Sequence, residues 1–280
     1  MSALFLEVFF RIEAHTNIDK VILQMKLSVN HSSALVHLLI EGALSIDAIE
    51  MVDKVSPAEI AFARQSLPAL EIHYHQGRML FNKKGYSHLA NYLQLCPDSP
   101  FISIHMAPLP AYITFPALKW SVFLPEPNRD RSVQRFIQQV KNAQKMFNLP
   151  IILENMPVLH SSKYFFESDP QVIFEVLKET GCDMLLDLAH ARISAEARHL
   201  SPEDYLASLP LENVVQVHLA GARRVNGVLT DAHETLEEAD YSLLDWTLQR
   251  CQPKWLTLEY FREEPGAVKL QIERLQHFLN

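Results

Sequence analysis

The segments VVQVHLA (214–220) and WLTLEYF (255–261) alternate two kinds of side chain with a period of two. Gln216 and His218 share one face of the first, with Val215, Val217 and Leu219 opposite. Trp255, Thr257 and Glu259 share one face of the second, with Leu256, Leu258 and Tyr260 opposite. This is the period of a β-strand. A strand whose polar face must still be enclosed belongs in a barrel, with the polar set pointing inward and the aliphatic set packed on helices.

Six more short apolar runs of strand type lie upstream: KLSVNH (26–31), AIEMVD (48–53), ALEIHYH (69–75), FISIHMA (101–107), PIILENM (150–156) and DMLLDLA (183–189). Longer amphipathic stretches lie between them, such as SPAEIAFARQSL, RSVQRFIQQVKNAQKMF and DPQVIFEVLKET. Several begin with Ser-Pro or Asp-Pro, the chemistry of a helix N-cap followed by proline in the first turn. Eight strand-then-helix units in about 250 residues predict an α/β fold, a closed (β/α)8 TIM barrel. The open doubly wound alternative lacks its glycine-rich first turn, and the chain has only 7 glycines. We expect one domain over 1–280, an extra N-terminal helix or arm over 1–25, and a long active-site loop over 107–130 containing five prolines.

Composition narrows the functional classes. With 25 basic and 33 acidic residues the formal charge is −8, which argues against a nucleic-acid partner. Cys96, Cys182 and Cys251 are scattered without paired spacing and read as reduced thiols of a cytoplasmic protein. The N-terminal segment carries Glu7, Arg11 and Glu13 and makes a poor signal peptide, and no apolar run is long enough for a membrane helix.

The 13 histidines are the remaining oddity, and many fall at strand ends together with acids. Strand three carries His73 and His75, strand four His105, strand five Glu154 and Asn155. Strand six carries Asp187 with His190 three residues on, and strand seven His218. The loop after strand seven carries Asp231 and His233, and strand eight Glu259. Any one of these has a bland reading: a hydrogen-bonded histidine, or a carboxylate paired with arginine. Burying the whole set at one end of a barrel without partners would cost a great deal, so a bound multinuclear metal centre is the economical explanation. The expected ligands are His75, His105, Glu154, Asp187, His190, His218, Asp231, His233 and Glu259. His73, Asn155 and Arg223 are candidates for positions behind them. His31, His37, His88, His160, His199 and His277 fall outside the pattern. Nitrogen and carboxylate ligands without thiolate suit divalent iron, manganese or zinc.

The order H…H…E…D-x-x-H…H…D-x-H…E resembles the xylose-isomerase-like barrel superfamily. Within it, ILENMP (152–157), LLDLAHARISA (185–195) and VHLAGARRVNGVLTDAHE (217–234) resemble the multinuclear non-haem iron-dependent oxidative enzymes of the methanobactin-biosynthesis oxidase type. The resemblance runs from about residue 150 to 260. It implies two or three metal ions, iron first, and an oxidase acting on a peptide or small molecule that a partner protein could present. Ala189 and His190 stand where that group has two asparagines, and Arg223 or Ala222 where it has a second histidine. Two other branches are similar. Endonuclease IV is a three-zinc phosphodiesterase. The tagatose-epimerase group needs only one divalent ion on a quartet, here Glu154, Asp187, His218 and Glu259, and there Glu154 and Glu259 would be the catalytic pair for proton transfer. A barrel that keeps the ligands without turnover is the non-enzymatic alternative.

Overall fold

A computed structural model describes residues 24–279 except 78, 80, 110–112, 114–124, 126 and 159–161. Most of the expected N-terminal arm and most of the 107–130 loop lie outside the described residues.

Parallel strands β1 (Lys26–Asn30), β2 (Ala48–Val52), β3 (Glu71–Gln76), β4 (Ile102–His105), β5 (Ile151–Glu154), β6 (Asp183–Asp187), β7 (Val214–Val225) and β9 (Trp255–Glu259) pair in sequence order. The β6–β7, β7–β9 and β1–β9 pairings close the ring. This is the closed eight-stranded (β/α)8 barrel that the alternation predicts.

Helices follow the strands on the outside and start where the sequence signals them. Ser56 caps Pro57–Ser66 in a reciprocal capping box with Glu59, and Asp169 caps Pro170–Thr180 with proline in the first turn. Asn148 and Gly181 end helices in the left-handed conformation, which suits these two residue types. Leu27, Ile49, Tyr74, Ile104, Leu153, Leu186, Val217 and Leu258 belong to the continuous apolar core. Each fully buried aliphatic side chain of this kind contributes about 1.5–3 kcal/mol.

The barrel interior is a second, mixed environment. Ala48, Phe101, Ile152, Leu185 and Trp255 form a separate apolar cluster. Ser28, Glu50, Gln216 and Thr257 are polar and fully enclosed. The charged groups at the C-terminal strand ends complete the interior.

Two elements depart from expectation. Residues 221–234 form an antiparallel hairpin rather than a loop: β7 runs on to Val225 and β8 (Val228–Glu234) returns beside it. Asn226 (φ 52°) and Gly227 (φ 81°) make the turn, the Asn-Gly pair that tolerates two successive positive φ values. Helix Leu188–Ala197 also begins directly at Asp187, with no loop between strand and helix, and a second helix, Pro202–Ala207, follows it.

Candidate metal centre

Glu154 is the hub. Its strand ends at the carboxylate, whose side chain is 1 % exposed. Its Oε2 lies 3.4 Å from His75 Nε2 and 3.1 Å from His105 Nε2. On the other side Oε1 lies 3.4 Å from His190 Nδ1 and 3.8 Å from His218 Nδ1. Three other strands and one helix therefore converge on a single carboxylate.

Three corners surround it. His75, His105 and Glu154 each offer one ligand atom within 4.8 Å of the others, as do Glu154, Asp187, His218 and Glu259. The third corner joins His190, Asp231, His233 and Glu259. Asp231 Oδ2 is 3.3 Å from His190 Nε2 and 3.4 Å from His233 Nε2, and His233 Nε2 is 3.4 Å from Glu259 Oε2. All nine expected ligands are thus brought together. The hairpin delivers Asp231 and His233, a role that no loop needs to perform.

The rings are held by their outward nitrogens. His75 Nδ1 donates to Ser103 Oγ at 2.9 Å, turning Nε2 toward Glu154. His190 Nδ1 donates to the Asn155 carbonyl at 2.8 Å, turning Nε2 toward Asp231. Asn155 also clamps Asp187 through its side-chain amide, accepting from Asp187 N at 2.8 Å and donating to Asp187 O at 3.1 Å. Asn155 thereby sits behind two ligand positions at once.

The other two candidates for positions behind the ligands point elsewhere. His73 shares a face with His75 but lies two residues deeper, where Nε2 meets Glu71 Oε1 at 3.1 Å and the ring packs on Phe101 and Trp255. Arg223 bonds the carbonyls of Ala222 and Thr235 and pairs with Glu237 at 3.3 Å, bracing the base of the hairpin.

Sequence reasoning missed Glu50. It is completely buried on β2, and its Oε2 lies 3.2 Å from His218 Nε2. Its signal was an acid in the middle of the apolar strand AIEMV (48–52), on the inward parity of the strand.

The electrostatics show what this arrangement lacks. Burial is the largest influence on His75, Glu154, Asp187, His190, His218, His233 and Glu259, and it opposes the charged form of each. At Glu154 the surrounding His105, His75 and His190 overcome it and hold the carboxyl well below the ordinary range. At Glu259, His218 and His233 do the same. Burial raises Asp187, His190 pulls it back, and Asp231, Glu154 and Glu259 raise it again, to about 7. Burial lowers His190 and His218, but the carboxylates beside them raise both well above the ordinary imidazole value. The protein groups alone balance charge only by holding protons.

Their hydrogen bonds do not balance. Glu154 Oε2, Asp187 Oδ2, His218 Nδ1 and Asp231 Oδ1 are buried without a hydrogen-bond partner, although such groups are ordinarily satisfied. All four atoms belong to residues of the three corners. Divalent cations fit this set: each corner supplies oxygen and imidazole donors, and a carboxylate at the centre can bridge two ions.

Fold and site together define a (β/α)8 barrel with a buried cluster able to hold metal ions. Solved structures agree on the fold. A D-tagatose 3-epimerase-like protein superposes with a TM-score of 0.57 at 16% identity, covering 91% of this chain and 97% of that one. A xylose isomerase-like TIM barrel protein from Mycobacterium smegmatis, in complex with magnesium, gives 0.55 at 15% identity, covering 92% of this chain and 97% of that one. Residues 82–277 match the family described as RiPP precursor modification enzyme MbnB/TglH/ChrH, and the chain belongs to that family. A UPF0276 protein of Bordetella parapertussis is 30% identical over 195 residues, 66% of this chain and 65% of that protein. Another from Rhizobium meliloti is 28% identical over 174 residues, 59% of this chain and 55% of that protein. The matched stretch thus spans between about half and two thirds of the length of these relatives.

Proposed function

We propose that the chain is a metal-dependent oxidative enzyme that holds two or three divalent ions, iron foremost, and modifies a peptide in the cytoplasm. The observation that carries the reading is the three-cornered cluster around Glu154, with four buried polar atoms left without partners. Membership of a family of precursor-peptide modifying enzymes supports a peptide as substrate. A mononuclear epimerase would need only Glu154, Asp187, His218 and Glu259, and would leave five further ligating side chains without purpose.

Glu154 would bridge the inner ions, with His75 and His105 completing one position and Asp187, His218 and Glu259 the next. His190, Asp231 and His233 would hold the third. Bound iron supplies one-electron redox chemistry and a reaction partner for dioxygen. The side chains grade from enclosed to open. Glu154 and His218 are closed to solvent, whereas His105, Asp231 and His233 expose 23%, 19% and 26% of their side chains. A peptide would enter at that open rim, and its thiolate would meet the ions there while the inner ligands keep water out. A partner protein presenting the peptide belongs to the same proposal.

Metal analysis of protein purified without oxygen tests the reading. Two or three irons per chain with a visible absorption band are expected, with dioxygen uptake once a cysteine-containing precursor peptide is added. Three zinc ions and cleavage of abasic DNA would replace it with a phosphodiesterase, and a single manganese with an epimerase. A chain binding no divalent ion above background would overturn it.

A further inference from the structure

Glu50 lies beneath the centre and belongs to none of its three corners as assigned above. It is enclosed on every side, yet each of its oxygens has a donor. Oε1 accepts from Asn30 Nδ2 at 3.1 Å, and Oε2 accepts from Gln216 Nε2 at 2.8 Å. The second amide proton of Gln216 goes to Thr257 Oγ1 at 2.8 Å. With both protons committed, the 3.0 Å approach of Gln216 Nε2 to His218 Nε2 leaves that ring nitrogen to donate to Glu50 Oε2, 3.2 Å away. The opposite ring nitrogen, Nδ1, has no hydrogen-bond partner and lies 3.2 Å from Glu259 Oε1.

We infer that Glu50 is a positioning residue for the metal centre: it fixes the proton of His218 on Nε2, so that the Nδ1 lone pair faces the ion held with Glu154, Asp187 and Glu259. A carboxylate on the far nitrogen of a ligating histidine sets its tautomer, aims its ring and makes it a stronger donor. Glu50, His75 and His218 also lie close enough to suggest a fourth cation position. The amide donors argue against it. Asn30 and Gln216 point N–H groups at Glu50, which is how a protein solvates an anion, and a cation there would face those same protons. His75 is likewise committed, with Nδ1 on Ser103 and Nε2 toward Glu154.

The inference rests on the centre described under Proposed function, and zinc as a diamagnetic probe separates the two. In zinc-loaded wild-type protein, nitrogen-15 NMR should show His218 with a slowly exchanging Nε2 proton and a metal-shifted Nδ1. Glu50→Gln keeps the shape and removes the charge. It should weaken one zinc of the set by about 10–100-fold in a chelator competition, leave the others unchanged, and retain a cooperative melt. Three outcomes overturn the inference while leaving the metal centre intact: His218 bound through Nε2, unchanged affinity in a folded Glu50→Gln, or an extra zinc in the wild type that this substitution removes. If Glu50→Gln does not fold, the wild-type spectrum alone decides. A wild type that takes up no zinc would remove both the centre and this role for Glu50.

Discussion

Asp187 Oδ1 accepts a hydrogen bond from His190 N at 2.6 Å, while Asp187 Oδ2, on the same carboxylate, is buried with no partner. One side chain therefore ends β6, caps the helix Leu188–Ala197 and offers an oxygen to the centre. Cap and ligand can be separated. Asp187→Asn keeps an acceptor for His190 N and should fold normally while losing the ion of the Glu154–Asp187–Glu259 corner. Asp187→Ala should lose that ion and about 1 kcal/mol of cap stability as well. Melting temperature and metal stoichiometry, measured on the same samples, check this. Full metal content in the asparagine variant would remove Asp187 from the ligands.

Glu154 should be the least replaceable group, because two corners share it. Glu154→Gln is expected to lower the metal content by two ions rather than one, whereas His105→Ala should lose one. Inductively coupled plasma analysis of oxygen-free preparations gives the count. Equal losses from the two variants would mean that Glu154 does not bridge.

The hairpin corner can be removed alone. Asp231→Ala with His233→Ala should cost one ion and leave the His75–His105–Glu154 corner loaded, because these two residues pair with His190, Glu259 and each other. Gly221 offers a backbone route to the same corner. A Cβ at 221 would stand 2.2 Å from the Glu234 carbonyl oxygen and 2.7 Å from that of Thr235. Gly221→Ala must push β8 away, at about 1–3 kcal/mol. Loss of the hairpin ion together with a lower melting temperature is expected, and a variant that keeps full metal content would show that the corner does not depend on hairpin register.

How much of this was legible follows from which signals depend on parity and which on depth. Alternation placed His218 and Glu259 on inward faces, and position at a strand end added Glu154 and Asp187, because an enclosed strand tolerates charge only where it has a purpose. Parity cannot say how far along the axis a residue sits. His73 and His75 share a face, yet one packs on Trp255 in the floor and the other meets Glu154. Glu50 was overlooked for the opposite reason: a single acid among Ile49, Met51 and Val52 leaves the strand's apolar character intact, and its partners Asn30 and Gln216 come from two other strands. The hairpin was legible and overlooked, since Asn226-Gly227 between Val225 and Val228 is a turn signature. Helix Leu188–Ala197 was not, because it starts from the last residue of a strand with no turn residue between them.

Removing the metal should destabilise the fold. Without cations, Asp187, Glu154, Glu259 and Asp231 repel one another and four polar atoms remain buried and unpaired. An ion held at a hundred times its dissociation constant adds about 2.7 kcal/mol through mass action alone. A chelator should therefore lower the melting temperature, and divalent metal should restore it. A melt indifferent to chelator would count against the site as a metal centre.

A pH effect remote from the centre separates fold from site. His31, just beyond β1, is held below its ordinary value of 6.5 by burial, with Glu59 and Glu263 opposing more weakly. A histidine whose folded value is depressed contributes stability that is complete above the unfolded value and is lost as pH falls through the folded one. His31→Gln carries no such dependence. The stability difference should favour the glutamine variant increasingly below pH of about 6.5 and be flat above pH of about 7.5. Denaturant melts of metal-free wild type and variant across that range measure it. A difference that stays constant with pH would mean that His31 titrates alike in the folded and unfolded chains.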